Sequence, residues 1–414
     1  MSNWTTAKLG DVSTIITGPF GSQLHQSDYV SEGIPIVMPQ NIADRKINYD
    51  SINHISEEDA QRLKRYRTQT NDILYARRGD VEKHAFITEK ESGVYCGTGC
   101  LRVRITSENI DPLFLSFFLN GEETKRWLVT HAVGSNMPNL NTDILANVPI
   151  SYPSLDMQKK IANTLNFFDE KILVNRNIND NLEQQTKLLY DYWFSQFDFP
   201  NDEGEPYRTS GGKMVWNEML KRNIPAGWCV VPFLEIACWE SNSQPPKSEF
   251  IYEPKDGYVR FIQNRDYDSD THKTYIPLTK NLSIVDRYDI LMDKYGDAGA
   301  VRYGIEGAFN VALGKISVHN PNQREYVRSF LESDGIYNYL HNSCMASTRA
   351  SLSETNLSML NIVIPSERVV LQYEQLLKKI RDAILQNNDE TARLIELRDW
   401  LLPMLMNGQA TIGD

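Results

Sequence analysis

The side chains best suited to recognising another molecule are amides and arginines that follow short apolar runs. Gln40 and Asn41 end one such run, and Gln263 and Asn264 end another. An amide can pair with the N6 and N7 atoms of adenine, and an arginine can pair with guanine or bind phosphate. Taken singly, each of these residues is most simply a solvated loop residue or a turn amide. Recurrence of the pair in two parts of the chain favours a contact surface.

The candidate contact residues are the polar and basic side chains at these run ends and in the adjoining loops. In the first half of the chain they are Ser22, Gln40, Asn41, Arg45, Arg65, Arg67, Arg77, Arg78, Lys83, Asn136 and Asn139. In the second half they are Arg260, Gln263, Asn264, Arg265, Lys294, Arg302, Ser347 and Arg349. Their types are those that contact nucleic-acid bases and phosphates.

An internal duplication must position these side chains. Residues 71–80 match residues 288–297, since each segment is an acid, an apolar strand, basic residues and a Gly-Asp turn. Residues 135–153 match residues 347–365 at a constant offset. Short β-branched strands with glycine turns alternate with a few helical stretches, such as residues 112–119, which predicts an α+β module in two copies.

A long helix follows each module. In both helices the apolar positions step by alternating four and three residues, which is the heptad pattern of a coiled coil. The predicted pairing residues are Ile161, Leu165, Phe168, Ile172, Leu182, Leu189 and Trp193 in the first helix, and Leu376, Ile380, Ala383, Leu394, Leu397 and Leu401 in the second. Each helix should run about 35–40 residues. Because a whole module separates them, an antiparallel pairing is easy to close; packing of each helix on its own module alone is the alternative.

These patterns divide the chain into five parts. We expect a first module at residues 1–154, a helix at 155–200, a linker at 201–224, a second module at 225–366 and a second helix at 367–414. The linker is predicted from its polar, glycine-rich composition. The expected architecture is therefore two globular modules, each a twisted and mostly antiparallel sheet with helices, joined by two long antiparallel helices.

Several classes of protein lack support in the sequence. Phosphate-cradling, dinucleotide-binding, methyltransferase and nucleophile–base motifs are missing or have the wrong spacing, so we expect no catalytic residues. The five cysteines lack the paired spacing of a zinc site, so we expect no metal and free thiols. The chain begins without a targeting segment and lacks a long apolar span, which predicts a cytoplasmic protein.

The charge of the chain limits how it could bind nucleic acid. The net charge is −11, from 43 basic and 54 acidic side chains. Non-specific DNA affinity comes largely from neutralising phosphates, so an acidic chain needs local basic surface or positively charged partner subunits.

Three stretches of the sequence are long and specific: residues 182–200, residues 397–408 and the opening of the second module at residues 224–228. They resemble the specificity subunits of Type I restriction-modification systems. The resemblance covers nearly the whole chain. It implies that each module is a target recognition domain that reads one half of a split, asymmetric site in double-stranded DNA.

The resemblance also implies how such a chain works with others. The paired helices would set the spacer between the half-sites and dock two methyltransferase subunits, and restriction subunits would complete the endonuclease. S-adenosylmethionine, ATP and magnesium would be used by those partners and not bound by this chain. The alternatives are an orphan DNA-binding protein of the same fold, or an enzyme with an unrecognised site.

Overall fold

The computed structural model describes residues 4–134, 138–269, 272–345 and 351–412. The chain forms two compact units. Unit 1 comprises Met1–Val174 with Glu390–Asp414, and unit 2 comprises Asn175–Asp389. Each unit therefore contains one module together with parts of both long helices.

The first module is built from short strands and short helices. Its strands are β1 (Thr5–Lys8), β2 (Ser13–Thr17), β3 (Tyr29–Val30), β4 (Ile34–Val37), β5 (Asn53–Ile55), β6 (Ile73–Ala76), β7 (His84–Phe86), β8 (Tyr95–Cys96), β9 (Cys100–Ile105) and β10 (Pro149–Tyr152). Its helices are α1 (Leu9–Val12), α2 (Glu57–Arg62), α3 (Pro112–Leu119), α4 (Glu122–His131) and α5 (Thr142–Ala146).

Two four-stranded sheets form the body of this module. One has the order β2-β9-β6-β7 and is antiparallel, and the other has the order β3-β5-β4-β8 with β4 and β8 parallel. The strands β6 and β7 are buried along their whole length because they lie between two apolar clusters. The antiparallel pair β1–β10 brings the two ends of the module together.

The helix α6 (Leu155–Tyr190) has 36 residues and continues as a π-helical segment at Asp191–Ser195. The strands that follow are β11 (Met214–Asn217), β12 (Arg222–Pro225), β13 (Cys229–Pro232), β14 (Ala237–Glu240), β15 (Tyr258–Ile262), β16 (Tyr275–Pro277), β17 (Ile284–Val285), β18 (Ile290–Asp293), β19 (Val301–Arg302), β20 (Gly307–Phe309), β21 (Leu313–Val318) and β22 (Asn361–Ile364). The later helices are α7 (Arg324–Glu332), α8 (Asp334–Met345), α9 (Glu354–Leu357) and α10 (Glu367–Met406), the last with 40 residues.

The second module repeats the first. Its sheets have the orders β14-β21-β18-β19 and β16-β15-β20-β17, again with one parallel pair, β15–β20. The pair β13–β22 closes it as β1–β10 closes the first module. The α+β fold, the duplication and the lengths of both long helices are therefore confirmed.

The segment predicted as a linker, residues 201–224, is more ordered than its composition suggested. It contains the antiparallel hairpin β11–β12, and Arg222 donates a 2.7 Å hydrogen bond to the backbone oxygen of Ser195. The guanidinium of Arg222 also lies 4.5 Å from the centre of the Phe197 ring. Polar, glycine-rich composition thus marks a tight hairpin here, because turns favour the same residue types as linkers.

In unit 1, the first part of α6 packs against the last part of α10. Ile161 and Leu165 share an apolar cluster with Leu405 and Met406. Arg398 of α10 donates a 2.8 Å hydrogen bond to Asp169 of α6. The helices are therefore antiparallel here.

In unit 2, the last part of α6 packs against the first part of α10, as an antiparallel pair requires. The rings of Trp193 and Tyr373 lie 5.5 Å apart. Asn179 of α6 donates a 2.8 Å hydrogen bond to Asn388, and Asn387 donates one of 2.8 Å to Asn179. Polar seam residues of this kind fix the register of paired helices.

The residues predicted to pair the two helices differ in burial between α6 and α10. Ile161, Leu165, Ile172 and Trp193 are buried, and Phe168, Leu182 and Leu189 are half-buried. In α10 Ile380, Ala383, Leu394 and Leu401 are half-buried, but Leu376 is 40% exposed and Leu397 is 47% exposed. The prediction was wrong for these last two residues.

The buried positions in the first part of α10 include Tyr373, Leu377, Arg381 and Ile384. The predicted seam of α10 differs from these buried positions for two reasons. This part of α10 packs against α7 as well as α6, and the buried Arg381 is not an apolar residue that the heptad pattern could identify.

Candidate nucleic-acid interface

In the first module the turn after β6 lies beside the segment that precedes α5. The backbone N–H of Arg77 donates a 2.7 Å hydrogen bond to the backbone oxygen of Gly99. The backbone N–H of Leu140 donates one of 2.8 Å to the backbone oxygen of Arg77. Gly79 has a φ of 83°, a conformation that favours glycine and allows the tight turn. We call the side chains of residues 76–80 and 138–140 the strand-end site of the first module.

Its side chains include two guanidinium groups, Arg77 and Arg78, and one carboxylate, Asp80. The Nε of Arg77 donates to Oδ1 of Asn139 over 3.3 Å, and Arg78 is exposed. Lys83 forms a 2.5 Å ion pair with Asp80, and both of these side chains are more than 40% exposed. The site therefore offers guanidinium groups that can contact a base or a phosphate.

The second module builds the same site from different residues. The backbone N–H of Lys294 donates a 2.8 Å hydrogen bond to the backbone oxygen of Ala312. The backbone N–H of Leu352 donates one of 2.9 Å to the backbone oxygen of Lys294. Gly296, with a φ of 73°, occupies the position of Gly79. Lys294 thus corresponds to Arg77, and Tyr295, which is 51% exposed, corresponds to Arg78. The strand-end site of the second module comprises residues 293–297 and 351–352.

Asp293, the last residue of β18, organises polar side chains around this second site. It is only 2% exposed, and it accepts a 2.8 Å hydrogen bond from Nδ2 of Asn264. It also accepts bonds of 3.0 Å from Nε and 2.8 Å from Nη2 of Arg302. Burial raises the pKa of the Asp293 carboxyl above its ordinary value, and the Arg302 guanidinium opposes that rise. Two polar side chains are thereby held at the end of the sheet.

The repeated Gln-Asn pair does not occupy equivalent positions. Val37 and Ile262 both end the strand that pairs in parallel with its neighbour, so Met38 corresponds to Gln263. The turn that follows is closed by Asn41 in one module and by Asp266 in the other, each accepting from the backbone N–H three residues earlier. The apparent recurrence of Gln-Asn is therefore a coincidence shifted by two residues, and it gives no support to a contact role.

Several predicted residues of the first module have structural partners. Asn41 is 1% exposed and donates to the backbone oxygen of Asn48. The side chain of Arg45 forms a 2.6 Å ion pair with Asp169 of α6 and is 10% exposed. We therefore leave Asn41 and Arg45 out of the proposed contact surface.

The other predicted residues of the first module are on the surface. Ser22, Gln40, Arg65 and Arg67 are exposed. The backbone oxygens of Arg65 and Arg67 both accept from Nη1 of Arg102 at 2.9 Å. Arg67 also lines an open cleft of about 490 Å³ together with Tyr49 and Lys90.

In the second module, too, some of the remaining predicted residues have structural partners and others are exposed. Gln263 donates to Oγ1 of Thr274 over 3.0 Å. Arg260 lies 3.7 Å from Asp266 and its side chain is 18% exposed, whereas the side chain of Arg265 is 57% exposed. Asn136, Ser347 and Arg349 lie outside the described residues.

Sequence reasoning missed Asp293 and Tyr295. Both lie in the segment that the duplication aligned with residues 76 and 78, so their positions could have been identified. They were passed over because the search was for basic and amide side chains. Within the described parts of the chain, no group of three histidine, cysteine or acidic side chains could hold a metal ion. Among those same residues, no helix is both long and apolar enough to cross a membrane.

The model of the Type I restriction modification DNA specificity domain matches residues 1–184 and again residues 225–391. The chain belongs to this family. It is 23% identical over 432 residues to the Type I restriction enzyme MjaIX specificity subunit of Methanocaldococcus jannaschii, covering all of this chain and 94% of that protein. It is 21% identical to the HindI specificity subunit of Haemophilus influenzae, covering 99% of this chain and all of that protein.

A solved structure has the same fold. The crystal structure of a Type I restriction-modification system S subunit from M. genitalium matches with a TM-score of 0.62 and 16% identity. The match covers 98% of this chain and 96% of that one. The family of specificity subunits and its two-module fold are therefore established for this chain.

Proposed function

We propose that this chain is a non-catalytic DNA-reading subunit in which each module reads one half of a bipartite, asymmetric site. The observation that carries the proposal is the strand-end site, which has one backbone in both modules and different side chains in each. Arg77, Arg78 and Asn139 in the first correspond to Lys294, Tyr295 and Ser351 in the second. The two strand-end sites have the same backbone arrangement but different side chains. This suits two modules that bind DNA in the same way but read different bases.

The long helices serve two further roles in this proposal: they set the spacer between the half-sites and dock two methyltransferase subunits. Docking is supported by large apolar side chains left exposed on the helices in both units. They are Phe167, Leu173, Val174, Leu397 and Trp400 in unit 1, and Ile178, Leu188, Tyr192 and Leu376 in unit 2. Exposed apolar side chains in such numbers are typical of protein interfaces.

The reactions belong to partner subunits in this proposal. Methyltransferase subunits would use S-adenosylmethionine, and restriction subunits would use ATP and magnesium. The net charge of −11 favours this division of labour, because partners can supply positive charge around the DNA.

The reading role is tested by selecting bound DNA from a randomised pool with the complex of this chain and its methyltransferase subunits. The wild type should select two conserved half-sites separated by a fixed spacer. Arg78→Ala should relax only one half-site and Tyr295→Ala only the other, each by about tenfold at the affected bases. A matched control is Lys378→Ala, an exposed change on α10. Selection of one continuous motif, or loss of the same half-site in both variants, would contradict the proposal.

The docking role is tested by co-purification with the methyltransferase subunit. Phe167→Glu in unit 1 and Leu188→Glu in unit 2 place a charge where an apolar contact is proposed, at side chains 62% and 68% exposed. Each should remove about one of two bound subunits, measured by mass in solution. Met359→Glu, at a side chain 67% exposed outside the helices, is the control. Full binding by both helix variants would overturn the docking assignment.

A further inference from the structure

Three polar residues at the end of the second module's sheets replace apolar residues of the first. By strand register, Asp293 occupies the position of Ala76, since each pairs with the first residue of the neighbouring strand. Arg302 occupies the position of Ala85, each opposite a leucine of the central strand. By the same correspondence that relates Met38 to Gln263, Asn264 takes the place of Pro39. The cluster is thus an addition to a shared scaffold.

We propose that Asp293 is a positioning residue that presents Arg302 to a guanine and Asn264 to a neighbouring base of the second half-site. This rests on the proposed function, because it requires that the second module read DNA. It goes further by separating a buried orienting carboxylate from the two side chains that contact the bases.

The edge of the Arg302 guanidinium formed by Nη1 and Nη2 remains available to bind a guanine. Nε and one hydrogen of Nη2 are used by Oδ2 of Asp293. Nη1 of Arg302 has no hydrogen-bond acceptor among the residues that the structure describes, and the side chain is 25% exposed. Nη1 together with the second hydrogen of Nη2 provides two parallel donors. That is the arrangement that matches O6 and N7 of guanine.

The surroundings of Arg302 restrict its motion. The ring of Tyr267 lies with its centre 5.7 Å from the guanidinium carbon. Asp297 adds a weaker contact of 3.7 Å to Nη2. Holding a long side chain in one orientation before binding avoids the entropy cost of ordering it on DNA. In the first module Ala85 stands at the position of Arg302, and Arg77, at a different position, is held only by the neutral amide of Asn139 at 3.3 Å.

Asn264 is prepared in the same way. Its Nδ2 donates one hydrogen to Oδ1 of Asp293, over 2.8 Å. The other hydrogen and the side-chain oxygen are the donor and acceptor that adenine requires at N7 and N6. One buried carboxylate therefore orients two readers, and loss of that carboxylate should affect both.

A purely internal salt bridge is the competing explanation, and binding measurements with single-base variants of the selected site separate the two. For the wild-type complex, replacing one guanine of the second half-site should weaken binding about tenfold or more. Arg302→Lys keeps the charge but removes the fork, and it should lower that discrimination by about tenfold while leaving the first half-site unchanged. Asp293→Asn should lower discrimination at the same guanine and at its neighbour.

The controls separate reading from folding. Asp256→Asn makes the same charge change at an exposed position of this module and should leave discrimination unchanged. If Asp293→Asn lowers the melting temperature, Arg302→Lys alone still decides, because its effect must be confined to one base position. Full guanine discrimination in Arg302→Lys, or equal loss at both half-sites, would overturn the inference. A selective wild type with unaffected variants rejects this inference alone, whereas a wild type without sequence preference rejects the proposed function as well.

Discussion

The two modules are attached to the long helices by charge clusters of opposite design. In unit 1 a carboxylate is central: Asp169 of α6 accepts from Arg45 of the module at 2.6 Å and from Arg398 of α10 at 2.8 Å. In unit 2 a guanidinium is central: Arg381 of α10 lies 3.2 Å from Glu325 and 2.7 Å from Glu332 of α7. The duplication therefore preserved the sheets but not the attachment.

The two clusters also differ in burial. The side chains of Arg45, Asp169 and Arg398 are 10%, 19% and 27% exposed, whereas those of Arg381 and Glu325 are 2% and 5% exposed. Burial by itself lowers the pKa of the Arg381 guanidinium, but the neighbouring Glu332, Tyr303 and Glu325 groups raise it well above its ordinary value. A buried charge with several partners costs most when one partner is removed, so the attachment in unit 2 should be the more sensitive.

The largest effect is expected from Arg381→Met, which removes the cation shared by Glu325 and Glu332 and leaves only Glu325 with another cation, Arg328 at 2.9 Å. The free energy of unfolding should fall by about 3–5 kcal/mol, measured by urea denaturation with unit 2 followed through its tryptophans. Lys378→Met, an exposed change on the same helix, is the matched control and should have little effect. A loss below about 1 kcal/mol would show that the buried cluster is not what holds α7 to α10.

A smaller effect is expected from Asp169→Ala, because solvent already screens part of the cluster in unit 1. The loss should be about 2 kcal/mol in the same measurement. Lys171→Ala removes an exposed ion pair at 3.2 Å to Glu390, between the same two helices, and should cost about 0.5 kcal/mol or less. If Asp169→Ala were as damaging as Arg381→Met, burial would not explain the contrast between the units.

The amide contact between α6 and α10 in unit 2 should contribute less to stability than either charge cluster. Asn179 is 8% exposed and bonds to Asn387 over 2.8 Å. A double-mutant cycle of Asn179→Ala and Asn387→Ala should give a coupling energy of about 1 kcal/mol. The same cycle on Lys171 and Glu390 of unit 1 should give about half that value or less. Equal coupling energies would remove the distinction between the two parts of the helix pair.

A pH dependence of the stability of unit 2 is also expected. Burial raises the pKa of Glu374 to about 7, even though its carboxylate accepts a 2.8 Å hydrogen bond from the backbone N–H of Tyr326. The folded pKa is above the value of 4.5 for an unperturbed glutamate, so the folded state binds the proton more tightly. Stability should therefore fall as the pH rises from about 4.5 to about 7.

Glu374→Gln removes this titration while keeping an acceptor for Tyr326. The decline of the melting temperature between about pH 5 and about pH 8 should become shallower in the variant. Glu367→Gln, at the exposed start of α10, serves as the control and should leave the slope as it is. An unchanged slope in Glu374→Gln would mean that other groups produce the pH dependence.

Much of this architecture could be predicted because it depends on repeated apolar patterns. The strand that ends at Ala76 and its counterpart that ends at Asp293 were correctly matched, as were the two long helices. The predicted seam residues of α6 are buried or half-buried, as a simple heptad pattern leads one to expect. Local pattern alone could not predict that Arg381 would be buried, because its partners Glu325 and Glu332 are distant in sequence.

The contact surface was harder to predict. The Gln-Asn resemblance failed because two side chains of the same type can fall near the same strand end without sharing a position. Arg45 was selected for its charge, yet its partner Asp169 lies more than a hundred residues away in the chain. Residue type shows what a side chain can do, but only the strand register shows which side chains are equivalent.

The central claim is that two modules read two separate half-sites. The most direct measurement is a map of N6-methyladenine in a genome whose host expresses this chain together with its methyltransferase subunit. We predict a single bipartite motif, with two dissimilar half-sites and a spacer of constant length. One continuous motif, or methylation without a sequence preference, would contradict the account.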